Sequence, residues 1–511
     1  MQIIDNKALL LTLRDTTPIL TTIPDSKSVS DTEVLVKWDV PQVHRLRTFN
    51  IKAPSPIEGR YDWPGRYAPY DHQRKTAAFL TNHKRAFCFN EQGTGKTGSA
   101  IWAADFLMKR GLVKRVLVVC PVSIMDSAWR ADLFTFAMHR TVDIAYGSAA
   151  KRKKIVESGA EFIIINYDGL QVIEDEIRDG GFDLIIVDEA SHYKNAQTKR
   201  WKCLSRLVGE DTWLWLMTGT PAAQSPTDAF GIAKLVNPRG VPRYFSSFRD
   251  MVMFKQGLYK WIAKDTAVDT VHQVLQPAIR FTKDECLDLP DLVYAKRRVE
   301  LTPQQKLYYE KLRKEMLFEA ADEEVTAINA AVKSNKLLQI SCGAVYTDEG
   351  NTLEFDIKNR YSVLREVIDE TANKVLIFVP FQHTIGILSA ALTKDGITNE
   401  VISGNVKPGD RTKIFSDFQT KKDPRVLVIQ PQAAAHGVTL TAADTIVWWG
   451  PTPSLETYAQ ANARIHRAGQ KHKCTVVQLV GSGMEHRIYK LLDEKIDVHS
   501  KIVDLYADLL D

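Results

Sequence analysis

The apolar run Ala86 to Phe89 leads into Asn90-Glu91-Gln92-Gly93-Thr94-Gly95-Lys96-Thr97 and then into an apolar helical stretch, Gly98 to Met108, ending near Gly111. Strand, glycine loop and helix in this order constrain the chain to an α/β sheet in which a buried strand hands the backbone to a helix N-terminus. In such a loop the backbone N–H groups of Gln92, Gly93, Thr94 and Gly95 face phosphates, Lys96 meets the β and γ oxygens, and Thr97 ligates Mg²⁺. The pattern G-x-x-x-x-G-K-[ST] wants glycine at position 90, where this chain has Asn90. Taken alone, the segment also reads as an ordinary glycine turn with a solvated lysine.

The surrounding chain removes that alternative. From Tyr61 onward short apolar runs alternate with helical stretches, the form of a parallel sheet covered by helices. Strands are expected at Ala86 to Phe89, Val116 to Cys120, Phe162 to Ile165, Leu184 to Val187 and Leu214 to Met217. The run Leu184 to Val187 passes directly into Asp188-Glu189-Ala190-Ser191. Open α/β sheets place ligands at the carboxyl ends of their strands, so Asp188 is expected to hold a metal and Glu189 to polarise an attacking water. A mere helix cap is the bland alternative for Asp188. Paired with the glycine loop, the acids make ATP hydrolysis with Mg²⁺ the leading chemistry.

At 511 residues the chain exceeds one hydrophobic core, and two large domains or about three ordinary ones are expected. Residues 1–60 hold short β-leaning runs such as Glu33 to Trp38, broken by Pro18, Pro24, Pro41, Pro54 and Pro56. They read as a small accessory β-rich module followed by a linker. The remainder divides into an α/β lobe at 61–290 and a second at 291–511. Between the two alternating blocks lies a mostly helical section, where Thr302-Pro303-Gln304-Gln305 is a capping box with proline at the first helical position. The second block has strands at Val375 to Phe378, Val401 to Ser403, Val426 to Ile429, Thr445 to Trp449 and Val476 to Leu479.

Composition adds exclusions. With 44% hydrophobic and 25% charged residues the chain is neither disordered nor fibrous. Its 67 basic and 62 acidic residues permit a nucleic-acid partner without requiring one. The scattered cysteines encode neither a metal knuckle nor a disulfide scaffold, which points to a reducing, cytoplasmic setting. No secretory leader and no apolar run of spanning length is present, so neither export nor a membrane is expected. The compact size suits a prokaryotic or viral source. The basic cluster Lys151-Arg152-Lys153-Lys154 reads as a solvated helix face before a nucleic-acid patch.

The remaining motifs stand in order: Tyr70-Asp71-His72-Gln73, Gly93 to Thr97, Cys120-Pro121, Asp188 to Ser191, Met217-Thr218-Gly219-Thr220-Pro221, Thr439-Leu440-Thr441-Ala442-Ala443-Asp444, and Gln460 to Gln470 with the form Q-x-x-x-R-x-H-R-x-G-Q. Across residues 67–490 the chain resembles a superfamily-two helicase-like ATPase of the Swi/Snf type. The resemblance implies two RecA-like parallel-sheet lobes with helical insertions, ATP bound in the cleft between them, and stepping along nucleic acid. It further implies that Gln73 reads the adenine edge with Tyr70 stacking nearby, and that Thr218 and Thr220 couple nucleotide to lobe movement. Nucleic-acid backbone contacts are expected at Ser123, Asn166 and Tyr167 in the first lobe and at Gly437 and Thr439 in the second. Independently of the resemblance, Thr452 or Ser454 can cap a helix whose Gln460, Arg464 and Arg467 share one face, with Gly469 ending it. Arginines so placed would stabilise charge on a transferring phosphoryl group.

Asn90, the alanine-rich Ala433-Ala434-Ala435-His436-Gly437 and Thr452-Pro453 depart from the usual family forms. The alanine-rich stretch with Thr439 looks closer to the distant branch that includes annealing helicases than to nucleosome remodellers. An ATP-driven translocase on double-stranded DNA, acting as a monomer, is the leading expectation. A strand-separating DNA or RNA helicase is the first alternative, disfavoured because the serine-alanine-threonine and H-R-x-G-R forms familiar in RNA helicases are absent. A nucleotide-gated regulator of a polymerase or other partner is the second, with residues 1–60 as the place where a protein partner would bind.

Overall fold

Val116–Val119, Phe162–Ile165, Leu184–Asp188 and Trp213–Met217 are buried along their whole lengths, as strands covered on both faces must be. In the computed structural model they belong to a seven-stranded parallel sheet. Its order is Ala278–Ile279, Arg85–Cys88, Trp213–Met217, Leu184–Asp188, Val116–Val119, Phe162–Ile165, Val142–Ala145. The structure describes residues 1–507 apart from 223, 257–259, 287–288, 322–326, 347–350 and 434–437. Register sets Cys88 beside Met217 and Met217 beside Asp188. The glycine loop, the Thr218–Pro221 turn and Glu189 therefore leave one sheet edge in a row, the outer two about 10 Å apart by strand spacing.

Two strands of this sheet escape the sequence pattern. Val142–Ala145 carries Asp143 and is only half-buried at the sheet's edge, and Ala278–Ile279 is two residues long. The chain divides into two compact units, Met1–Cys286 with Lys501–Asp511, and Leu287–Ser500.

The helix after the glycine loop, Lys96–Lys109, is buried from Gly98 to Met108, and a charge lies in its middle. Asp105 is fully buried. Its Oδ2 accepts from Tyr61 Oη (2.7 Å), and its Oδ1 meets Arg140 Nε (2.6 Å) and His139 Nε2 (2.8 Å). Burial alone would raise this carboxyl, but hydrogen bonds from Tyr61, Arg140 and His139, with the Arg140 charge, outweigh it and hold the pKa below the ordinary range. A carboxyl depressed in this way stabilises the fold above its unfolded pKa and loses that contribution as pH falls through its folded value. Asp105→Asn is therefore expected to cost about 3–5 kcal/mol near neutrality. The gap to wild type should narrow below about pH 4, as read from urea midpoints across pH.

The amino-terminal sheet is antiparallel, in the order Gln2–Ile4, Ala8–Thr12, Glu33–Lys37, Lys27–Ser28. The end of residues 1–60, read as an accessory module followed by a linker, packs against the first unit's core at Ile57. Ile57 is fully buried there, Ser55 Oγ lies 2.7 Å from Thr81 Oγ1, and Trp38 Nε1 donates to Pro54 O at 2.9 Å. Arg47 Nη1, from the helix Val40–Thr48, donates to Asn82 O at 3.0 Å.

The second unit holds a six-stranded parallel sheet ordered Leu292–Arg298, Cys474–Val480, Ala443–Trp448, Lys374–Phe378, Val426–Ile429, Asn399–Ile402. The capping box forms as the sequence predicts: Thr302 N donates to Gln305 Oε1 (3.0 Å), Gln305 N to Thr302 Oγ1 (3.4 Å), and the helix Pro303–Ala321 follows. A buried Arg360–Glu485 pair bridges two helices of this unit, with Nη2 donating to both carboxylate oxygens at 2.7 and 2.9 Å. The expected α/β class, with two parallel-sheet lobes and a small β-rich amino-terminal sheet, is the one the chain adopts. Among the described residues no helix is long and apolar enough to cross a membrane.

Candidate nucleotide site

The loop is shaped by glycines at positions whose backbone favours them. Gly93 and Gly95 have φ of +89° and +79°, a left-handed backbone that favours glycine, and a Cβ on Gly95 would stand 2.0 Å from Gln73 Nε2 and displace that amide. The helix Lys96–Lys109 begins at once, directing its first N–H groups toward the loop. Lys96 Nζ donates to the carbonyls of Asn90 (2.8 Å) and Glu91 (3.1 Å). Asn90, the departure from the glycine pattern, is a brace. Its Nδ2 donates to Thr76 Oγ1 (2.8 Å) and its Oδ1 accepts from Phe281 N (3.0 Å).

Gln73 sits on the helix Asp71–Thr81 and is buried. Its Oε1 accepts from Tyr70 N (3.0 Å), closing a capping box, and its Nε2 donates to Thr94 O (3.4 Å). His72 Nε2 meets the same carbonyl at 2.8 Å. The Tyr70 ring stacks on His72 with centroids 5.7 Å apart and is exposed. In this structure the Gln73 amide braces the loop.

Asp188 is held at every polar edge. Trp129 Nε1 donates to its Oδ2 (2.9 Å), Glu189 N to its Oδ1 (3.0 Å), and Tyr167 Oη to its carbonyl (2.7 Å). Burial pushes its carboxyl above the ordinary range, opposed by the Lys96 charge, the Trp129 N–H and the Glu189 amide. Glu189 follows with φ of +50°, a left-handed backbone in a non-glycine residue that costs about 1–3 kcal/mol and persists only where the surroundings enforce it. A buried carboxylate near an ammonium, with the Thr97 hydroxyl at the loop's end, is an oxygen donor set that suits Mg²⁺. That ion takes one or two protein oxygens and completes its shell from phosphates and water. Among the described residues no group of three or more His, Cys, Asp or Glu side chains could form a protein cage for a metal.

Sequence reasoning missed Trp129 and Arg280. Arg280 Nη1 donates to Phe89 O (2.7 Å) and Gly219 O (3.5 Å), and its Nη2 to Glu91 Oε1 (3.0 Å). A basic residue that far along the chain carries no local signal. Two expected nucleic-acid contacts are turned inward. Tyr167 is buried with its hydroxyl on Asp188. Asn166 Oδ1 accepts from Arg152 Nη1 at 2.9 Å. Arg152, taken with its neighbours for a solvated face, is itself buried and also donates to Ala145 O at 2.6 Å. Ser123 and Thr439 are exposed, while Gly437 lies outside the described residues.

In the second unit the expected helix stops early. It runs Leu455–Asn462, capped by Ser454 Oγ, which accepts from Thr457 N at 3.2 Å. Arg464 and Arg467 therefore do not share a helical face with Gln460. Tertiary capture ends the helix: Trp448 Nε1 donates to Asn462 Oδ1 (2.9 Å), and Gln470 Nε2 to Ala443 O (2.9 Å) and Ile465 O (3.1 Å). The two arginines nonetheless converge, since both Nη1 atoms reach Val438 O at 3.4 Å, the outer limit of a hydrogen bond. Gln460 is buried, its Nε2 3.4 Å from Glu456 Oε1.

The SNF2-related domain matches residues 72–344, and the helicase conserved C-terminal domain matches residues 359–469. An uncharacterised ATP-dependent helicase of Mycoplasma genitalium is 24% identical over 425 residues, 81% of this chain and 40% of that protein. Protein p41 of Acyrthosiphon pisum secondary endosymbiont phage 1 is 24% identical over 423 residues, 78% of this chain and 88% of the phage protein. The chain thus spans 40% of the length of the mycoplasmal relative and most of the phage one. A solved structure, the Sulfolobus solfataricus SWI2/SNF2 ATPase core in complex with dsDNA, is 22% identical with a TM-score of 0.42, covering 86% of this chain and 94% of that one. With more than half of its length matched by the SNF2-related domain, the chain belongs to the SNF2-related family and carries a helicase C-terminal domain behind it.

Proposed function

We propose that the protein is an ATPase that couples hydrolysis to movement along duplex DNA without separating the strands. The observation that supports hydrolysis in this reading is the shared sheet edge. The glycine loop with Lys96 and the Asp188–Glu189 pair leave strands one apart, and Asp188 is buried within the influence of the Lys96 charge. Lys96 and the loop amides of Gln92 to Gly95 bind the phosphates. Thr97 and Asp188 would hold Mg²⁺, which when bound neutralises charge on the phosphate oxygens. Glu189 orients and polarises the attacking water. Gln73 and Tyr70 face the base, and Gln460, Arg464 and Arg467 stabilise the charge that develops on the transferring group. Ser123, Thr439 and Gly437 contact the nucleic-acid backbone, whereas Asn166 and Tyr167 brace Arg152 and Asp188.

Relatives named as ATP-dependent helicases support the use of ATP. The Met217 to Pro221 and terminal Gln470 forms favour a duplex translocase over an RNA helicase. ATPase rates measured in parallel with no nucleic acid, duplex DNA, single-stranded DNA and RNA test the reading. Duplex DNA is expected to stimulate at least as well as single strands, and the stimulation should weaken as salt rises, because phosphate contacts release counterions. Equal rates with and without nucleic acid would overturn it in favour of a nucleotide-gated regulator.

A further inference from the structure

The entrance to the phosphate loop is zipped to the segment Ile279 to Lys283, just before the chain passes into the second unit. Phe89 N donates to Ile279 O (2.8 Å) and Glu91 N to Phe281 O (2.9 Å), while Phe281 N returns to Asn90 Oδ1 (3.0 Å). Arg280 lies at the centre of this zipper, its side chain 4% exposed. One arm holds the carbonyls of Phe89 and Gly219, and the other the Glu91 carboxylate. The second oxygen of that carboxylate accepts from Lys283 N at 3.1 Å, where the short helix Lys283–Cys286 begins, after which the chain passes into the second unit.

We propose that Arg280 and Glu91 form a latch that fixes the phosphate loop to the segment by which the chain leaves the first unit, with Arg280 a positioning residue for nucleotide phosphates. The inference rests on the nucleotide reading of the loop. Its logic is mechanical. The carbonyls of Asn90 and Glu91 hold the Lys96 ammonium, and they belong to the three residues that the guanidinium and the adjoining strand keep in place. Without the latch the loop entrance moves and Lys96 is no longer pre-set toward phosphate, so the loss falls on ground-state binding. The fork is also what lets one side chain span two carbonyls and a carboxylate, a geometry that lysine cannot reproduce.

The test uses the full chain and compares Arg280→Met, Arg280→Lys and Glu91→Gln with wild type. Affinity for Mg·ADP is read by calorimetric titration, and KM and kcat for ATP are read separately. Arg280→Met is expected to weaken Mg·ADP binding and raise KM by about tenfold or more, as loss of a charge-assisted hydrogen bond implies, with kcat at saturation changed far less. Arg280→Lys should recover part of the loss. Glu91 is 34% exposed, so Glu91→Gln should stay folded and weaken binding several-fold, and it decides the matter if Arg280→Met does not fold. Wild-type affinity in folded Arg280→Met, or in Glu91→Gln where that variant must decide, overturns the latch. A wild-type protein that binds no Mg·ADP overturns the nucleotide reading itself, and the latch with it.

Discussion

Lys96→Ala is expected to lose both nucleotide binding and turnover, and Glu189→Gln to lose turnover while keeping binding. The two differ because the Lys96 ammonium stands at the mouth of the loop, where it is assigned to phosphate, whereas Glu189 leaves the neighbouring strand end and is assigned to water. Glutamine at 189 keeps the backbone N–H that Asp188 Oδ1 accepts, so the acid strand end and its left-handed turn survive the change. What disappears is the carboxylate assigned to polarise the nucleophile, an effect of about 10²- to 10⁴-fold. Lysine removal takes away a charge from the transferring group and from the ground state together, so its loss in kcat/KM is larger. Phosphate-release rates alongside nucleotide titrations separate the cases. Wild-type turnover in either variant would remove the assignment of the site.

Much of this site is legible before any fold is known because its signals are local. The glycine loop, its lysine and the helix start are consecutive along the chain, and Asp188 ends a buried strand with Glu189 directly after it. The supports are invisible for the opposite reason. Trp129 reaches Asp188 across 59 positions and Arg280 reaches Phe89 across 191, distances at which spacing says nothing. Asn90 looks like a defect in the glycine pattern until Thr76 and Phe281 are seen to hold its amide. The helix through Gln460 fails differently. Its 3.6-residue spacing is genuine over Leu455–Asn462, but Asn462 and Gln470 are captured by Trp448 and the Ala443 strand, and that tertiary capture outweighs the local preference to continue. Tyr167 and Asn166 were legible as residues at a strand end but not in their direction. Polar side chains there serve loops and buried acids as readily as ligands.

Turnover in Arg464→Ala and Arg467→Ala is expected to fall steeply while nucleotide binding stays near wild type. The loop, Gln73 and Asp188 all belong to the first unit, so the residues assigned to ground-state binding are untouched by either change. Both arginines emerge from a turn that follows the helix, and both approach the same Val438 carbonyl. Both are assigned to a transferring phosphoryl group, whose developing charge arginines stabilise. The anchors around them are separate: His466 Nε2 lies 2.9 Å from Pro290 O, and Gln470 donates into the Ala443 strand. Truncating either arginine should therefore leave the turn standing. Arginines acting on a phosphoryl transition state are worth about 10³- to 10⁵-fold, so kcat should drop by orders of magnitude with KM little changed. Following DNA-stimulated phosphate release while titrating ATP reads both quantities at once. Unchanged kcat in both variants would show that the second unit contributes no charge to the reaction, and the helicase-like mechanism would have to be given up.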